Sequence, residues 1–129
     1  MRLLLGTHIL LWALDEPERL DPETRDLLED PGNEIFSSAA SIWEIAIKAR
    51  LGRADCPVRP EAIIDGAVAT GFAELPIRTV TAALVATLPL HHRDPFDRLL
   101  VAQAIAEPLR LFTVDAKLAL YSELVTVVR

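Results

Sequence analysis

His91-His92-Arg93-Asp94-Pro95-Phe96-Asp97-Arg98-Leu99-Leu100-Val101-Ala102-Gln103-Ala104 passes quickly from a charged entry to an apolar run. Asp94 has the short carboxylate of a helix N-cap. Pro95 follows at the first helical position, where a missing N–H costs nothing. Asp97 falls in the first turn, where the helix dipole favours an anion. From Leu99 to Ala104 the helix is too apolar to lie on a surface. Two accounts of the acids stand open. In one, Asp94 caps, Asp97 supports the helix start, and the helix is core. In the other, carboxylates at the mouth of a buried helix hold a metal ion.

The chain has 129 residues, 51% of them hydrophobic and 25% charged, which suits one domain with a real core over residues 1–129. A net charge of −6 argues against a general electrostatic grip on nucleic acid or an anionic membrane. It leaves a nuclease open, because a carboxylate site with its cation differs locally from the chain average. The single Cys56 forbids an internal disulfide and fits a reducing compartment. The apolar start, Leu3-Leu4-Leu5 and then Ile9-Leu10-Leu11-Trp12, is broken by Gly6-Thr7-His8 and followed by no small-residue cleavage site. It is also too short to span a bilayer. It reads as a strand and a buried helix of a cytoplasmic protein.

Arg2 to Leu5 reads as a strand ended by Gly6, with Thr7 as a cap and a helix from His8 to Leu14. Asp21-Pro22 repeats the cap-then-proline signal and opens a polar helix to about Asp30. A turn at Pro31-Gly32-Asn33 leads to a strand from Glu34 to Ser37. Ser41 and Glu44 match a capping box for a helix that ends at Leu51 and Gly52, with a start near Ser38 as the alternative. A loop from Arg53 to Arg59 precedes a helix from Pro60 to Gly71. Phe72 to Ile77 is an edge strand, because it carries Pro76. Thr79 or Thr81 caps a short helix that ends before Pro89. After the organising helix come a strand from Leu111 to Val114, a short helix from Ala116 to Tyr121, and a last strand from Leu124 to Val128.

Strands separated by helices predict an α/β fold: a mainly parallel sheet covered on both faces, with right-handed crossovers. In such sheets the site lies beyond the carboxyl ends of the strands. Gly6 and Asp115 stand at two such ends. Glu44 and Asp97 are expected in first turns of helices on the same side. Three carboxylates can therefore converge, and a carboxylate cluster recruits a hard cation such as Mg²⁺ or Mn²⁺. Such an ion activates water and neutralises charge on a phosphate. There is no glycine-rich phosphate loop, Cys/His metal spacing or nucleophile elbow to compete.

Four stretches together resemble one family: Leu3-Leu4-Leu5-Gly6-Thr7-His8-Ile9-Leu10-Leu11-Trp12, Ser41-Ile42-Trp43-Glu44-Ile45-Ala46-Ile47-Lys48, His92-Arg93-Asp94-Pro95-Phe96-Asp97-Arg98 and Leu111-Phe112-Thr113-Val114-Asp115. Their order and spacing are similar to those of PIN-domain proteins of the VapC-like toxin class, the ribonuclease half of type II toxin–antitoxin pairs. The resemblance covers essentially the whole chain. It implies a three-layer α/β/α fold, Mg²⁺- or Mn²⁺-dependent cleavage of RNA, an antitoxin partner and a homodimer. It also implies that Glu44, Asp97 and Asp115 are the catalytic metal ligands, with Asp94 a second-tier ligand. The departure is Gly6, where the family pattern has the aspartate that ligates metal at the end of the first strand. The implied chemistry is therefore impaired. A catalytically inactive module that still binds antitoxin or RNA is the competing function, and an acid-cluster phosphatase ranks last for want of an Asp-x-Asp pair.

Other residues have structural readings beside the functional ones. Thr7 and Ser41 read first as caps and second as supports for ligands or water. His8, His91 and His92 lack metal spacing and read as loop or structural residues. Trp12 and Trp43, set among aliphatics, are expected in the core. Lys48, Arg50, Arg53, Arg93 and Arg98 are the cations that could line an RNA path, with solvated surface the alternative for each. Exposed apolar surface for dimer or antitoxin contact is expected near the helices from Pro22 and Pro60.

Overall fold

Leu3, Leu4 and Leu5 are all fully buried, because their strand is covered from both sides. The computed structural model describes residues 1–52 and 59–128. The expected loop from Arg53, with Arg53 and Cys56, lies outside the described residues as far as residue 58. Strand β1 (Arg2–Leu5) is central in a sheet whose other members are β2 (Glu34–Ser38), β3 (Ala73–Leu75), β4 (Arg110–Thr113) and β5 (Val125–Val127). Their order is β3-β2-β1-β4-β5, and every pairing is parallel. The chain thus builds outward from β1 in one direction and then returns to its other side. The switch point lies between β1 and β4, where open α/β sheets place their ligands.

Side chains alternate across the sheet and separate two cores. Leu3, Leu5, Ile35 and Phe112 face one side. There they meet Ile9 and Leu10 of α1 (Thr7–Asp15), Ile45 of α3 (Ala39–Arg50) and Ile63 of α4 (Pro60–Thr70). Leu4, Phe36 and Leu111 face the other side, against Leu100, Val101 and Ala104 of α6 (Pro95–Ala106). The result is the expected three-layer α/β/α arrangement. The remaining α-helices among the described residues are α2 (Pro22–Glu29) and the short α5 (Thr79–Leu84), and the short helix expected from Ala116 is a 3-10 helix over Ala116–Leu120. Asp21 caps α2 through Thr24, and Pro22 takes its first position, as the sequence predicts.

The sequence reading misplaced several caps. Gly6, not Thr7, is the N-cap of α1, which begins one residue early at Thr7. For α3 the alternative start holds: Ser38 caps it by accepting the Ala40 N–H at 2.9 Å, so Ser41 is no cap and Glu44 falls in the second turn rather than the first. Neither Thr79 nor Thr81 caps α5, whose N-cap is Arg78. The strand expected over Phe72 to Ile77 pairs only from Ala73 to Leu75, because Pro76 cannot donate to the ladder. It is an edge strand, as expected. Trp12 packs against the core, but Trp43 is 56% exposed and meets Phe96 edge to face at 4.9 Å.

Candidate metal centre

Asp94 accepts the N–H groups of Phe96 and Asp97 at 2.8 and 3.1 Å, and this sets the start of α6. The turn delivers Asp97 to a cavity of about 150 Å³ beside the switch point. Gly6, Thr7, Glu44, Asp94, Asp97 and Asp115 all contribute to its walls. The acids expected to converge therefore share one pocket. Asp94 spends one carboxylate oxygen, Oδ1, on the cap.

Glu44 is buried, yet both its oxygens have partners. Oε1 accepts from Thr7 Oγ1 at 2.7 Å, and Oε2 faces the Lys48 ammonium at 2.9 Å. Thr7 has one hydroxyl proton and gives it to the carboxylate, so the Ser41 hydroxyl, 3.0 Å away, donates to Thr7. The hydroxyls read first as caps thus form a buried chain that holds Glu44. Asp115 is held too. Its Oδ1 accepts the Lys117 N–H at 2.9 Å, and its Oδ2 lies 2.6 Å from His92 Nε2.

Among the described residues, Asp97 has no comparably short partner; His92 Nε2 lies 3.7 Å away. Burial, then the neighbouring Asp94 and Glu44 charges, push its carboxyl up to about 7. Asp115 behaves oppositely. Burial raises its pKa, but the Lys117 N–H and His92 outweigh burial and leave it below the usual carboxylate value. One carboxyl that resists ionisation beside Asp115, which is held ionised, marks a pocket crowded with negative charge. Hard oxygen donors in that state suit Mg²⁺ or Mn²⁺, so the residues present fit such an ion.

At Gly6 the backbone is close to β4. The Gly6 N–H donates to Phe112 O at 2.8 Å, and a Cβ on Gly6 would stand 2.9 Å from that same oxygen. A side chain there requires the backbone to move.

His92 is the functional candidate that the sequence reading missed. Its Nε2 and one oxygen each of Asp97 and Asp115 all lie within 4.8 Å of one another. The available signal was position: His92 stands two residues before the cap Asp94, whose N–H its Nδ1 accepts at 3.0 Å. Arg98, offered as an RNA contact, proves to be scaffolding. Its guanidinium donates to the carbonyls of Val85, Leu88 and Pro89 and to the Tyr121 hydroxyl. Tyr121 Oη also accepts the N–H groups of His91 and His92, at 3.0 and 2.9 Å. Arg93 is exposed and lines a neighbouring depression with Lys117.

A second cavity, of about 340 Å³, is apolar and lies between α3 and α4, with Trp43, Ile64 and Val68 on its walls. Those three are exposed. The expected apolar surface is thus present at the helix from Pro60 but shared with α3. Among the described residues, α2 carries no large exposed hydrophobic side chain. No helix among them is long and apolar enough to cross a membrane.

No curated protein matches the chain. A crystal structure of VapBC2 from Rickettsia felis bound to a DNA fragment from their promoter is similar in fold, with a TM-score of 0.74 over 100% of this chain and 100% of that chain. Sequence identity is 18%, so the likeness speaks for the fold alone. The family model described as PIN domain matches residues 3–124, taking in four of the five strands and every acid of the cluster. By that match the chain belongs to the PIN domain family.

Proposed function

We propose that this chain, a single PIN-like domain over residues 1–129, is a Mg²⁺- or Mn²⁺-dependent ribonuclease of the VapC-like toxin class, cytoplasmic and neutralised by an antitoxin. One observation carries the reading: Glu44, Asp97 and Asp115, from distant parts of the sequence, line one small pocket at the switch point of the sheet. Glu44, Asp97 and Asp115 would hold the ion, with Asp94 a weaker candidate because its Oδ1 caps α6. The bound ion supplies an activated water and neutralises phosphate charge. The chain's own residues orient that set. Thr7 and Ser41 fix Glu44, the Lys117 N–H fixes Asp115, and Lys48 balances Glu44. Arg93, exposed in the depression beside His92 and Lys117, would meet an RNA backbone. The exposed Trp43, Ile64 and Val68 give antitoxin, or a second copy in a homodimer, an apolar surface to cover.

Gly6 favours a second reading, a PIN-fold module that binds antitoxin or RNA without cleaving. The family's strand-end aspartate is absent, and β4 stands too close to admit a Cβ without adjustment. Incubation of the protein with RNA in Mn²⁺ and in EDTA, beside Glu44→Gln, separates the readings. Slow cleavage that needs Mn²⁺ and Glu44 supports the nuclease. No cleavage, with antitoxin capture intact, supports the binding module.

A further inference from the structure

We infer that His92 is a positioning residue of the metal centre, a fixed N–H donor to Asp115, and not itself a metal ligand. The inference rests on the metal-site reading above. Proximity alone would suggest ligation, since His92, Asp97 and Asp115 present ligand atoms within 4.8 Å. The two ring nitrogens decide otherwise. Nδ1 accepts the backbone N–H of Asp94 at 3.0 Å and so carries no proton. The neutral ring must then carry its proton on Nε2. Nε2–H points at Asp115 Oδ2, 2.6 Å away, and lies 3.7 Å from Asp97 Oδ2. A metal on Nε2 would need that nitrogen's lone pair and a proton on Nδ1, which would face the Asp94 N–H head-on.

The loop is built to keep this orientation. Tyr121 Oη accepts the N–H groups of His91 and His92, and Arg98 donates to the same oxygen at 3.0 Å. The His91 ring packs edge to face on Tyr121 at 5.0 Å. The same short turn therefore caps α6 through Asp94 and aims one N–H at a carboxylate from β4's end. With His92 on Oδ2 and the Lys117 N–H on Oδ1, Asp115 is anchored at both oxygens and presents its remaining lone pairs to the pocket. Outer partners of this kind typically change metal affinity about 10- to 100-fold.

Two substitutions divide the ring's roles. His92→Asn keeps an oxygen near the place of Nδ1 for the Asp94 N–H but removes the donor to Asp115. His92→Gln restores an N–H near the place of Nε2. Calorimetric titration with Mn²⁺ is expected to show affinity about 10- to 100-fold weaker for His92→Asn and largely recovered for His92→Gln, with melting in EDTA little changed for His92→Asn. Nitrogen-15 spectra of the unsubstituted imidazole should show the proton on Nε2 before and after Mg²⁺ is added. A proton that moves to Nδ1 on addition of Mg²⁺ would make His92 a ligand and overturn the inference. So would unchanged Mn²⁺ affinity in His92→Asn, which leaves the metal-site reading intact. Failure of the unsubstituted protein to take up Mn²⁺ at all would overturn that reading and this one with it.

Discussion

Glu44 and Lys48, one turn apart on α3, form a 2.9 Å ion pair at the acid pocket, with only 7% of the Glu44 side chain exposed. The spacing is that of a helix-surface pair, Glu before Lys, but the pair faces inward. Without metal, Lys48 supplies positive charge to Glu44. Lys48→Met should lower metal-free stability by about 1–3 kcal/mol, since it leaves a buried carboxylate without its partner. The same change should enlarge the gain in melting temperature from Mn²⁺. Melting curves in EDTA and in Mn²⁺ check both signs.

Asp97 predicts a pH dependence. Its carboxyl stands at about 7 in the folded protein, well above the ordinary value of 3.8. A carboxyl raised on folding favours the fold while protonated. That contribution is complete below the unfolded value and disappears as pH rises through 7. Metal-free stability of the protein relative to Asp97→Asn should therefore fall by about 2–4 kcal/mol between pH 4 and pH 8. Urea denaturation of both proteins across that range measures the difference. Over the same interval Mn²⁺ affinity should rise, because the ion competes with a proton on Asp97.

The hydroxyl of Tyr121 should matter to stability more than its place in a short helical turn suggests. It accepts three N–H groups that would otherwise lack it. Tyr121→Phe should cost about 1–3 kcal/mol, because the part-buried His92 N–H and one Arg98 N–H lose their acceptor, while the exposed His91 N–H can turn to water. It should also weaken Mn²⁺ binding, since it loosens the turn that carries His92 and Asp94. Chemical denaturation and a Mn²⁺ titration test the two effects separately.

Gly6→Asp adds a carboxylate to the wall of the acid pocket but against a close strand. The new Cβ would start 2.9 Å from Phe112 O, so backbone must shift. Strain and added repulsion should lower metal-free stability by about 1–3 kcal/mol. A further anionic ligand should tighten metal binding by about 2–4 kcal/mol, or roughly 30- to 1000-fold, less the strain. RNA cleavage should rise accordingly. Equal cleavage by both proteins would show that position 6 is no ligand position.

The fold was legible where a local rule and the burial pattern agreed. Asp21-Pro22 and Asp94-Pro95 each announce a helix start, and Leu3-Leu4-Leu5 announces a strand covered on both faces. Ser41 misled because Ser38 offers the same hydroxyl three residues earlier, and the end of β2 fixes which one is used. Trp43 misled because an aliphatic neighbourhood in sequence does not say which face of α3 a residue occupies. The acids could be chosen from spacing and resemblance. The partners of those acids could not. The Thr7–Ser41 contact, the aim of His92 and the internal role of Arg98 depend on loop geometry across long sequence separations.

The central claim, that Glu44, Asp97 and Asp115 share a metal ion, is tested most directly by an anomalous difference map from crystals soaked in Mn²⁺. The account predicts a peak in the pocket, within metal–oxygen distance (roughly 2.0–2.3 Å) of carboxylate oxygens from those residues, with His92 Nε2 outside that distance. A saturating soak that leaves the pocket without a peak, or places Mn²⁺ away from all three acids, would contradict it.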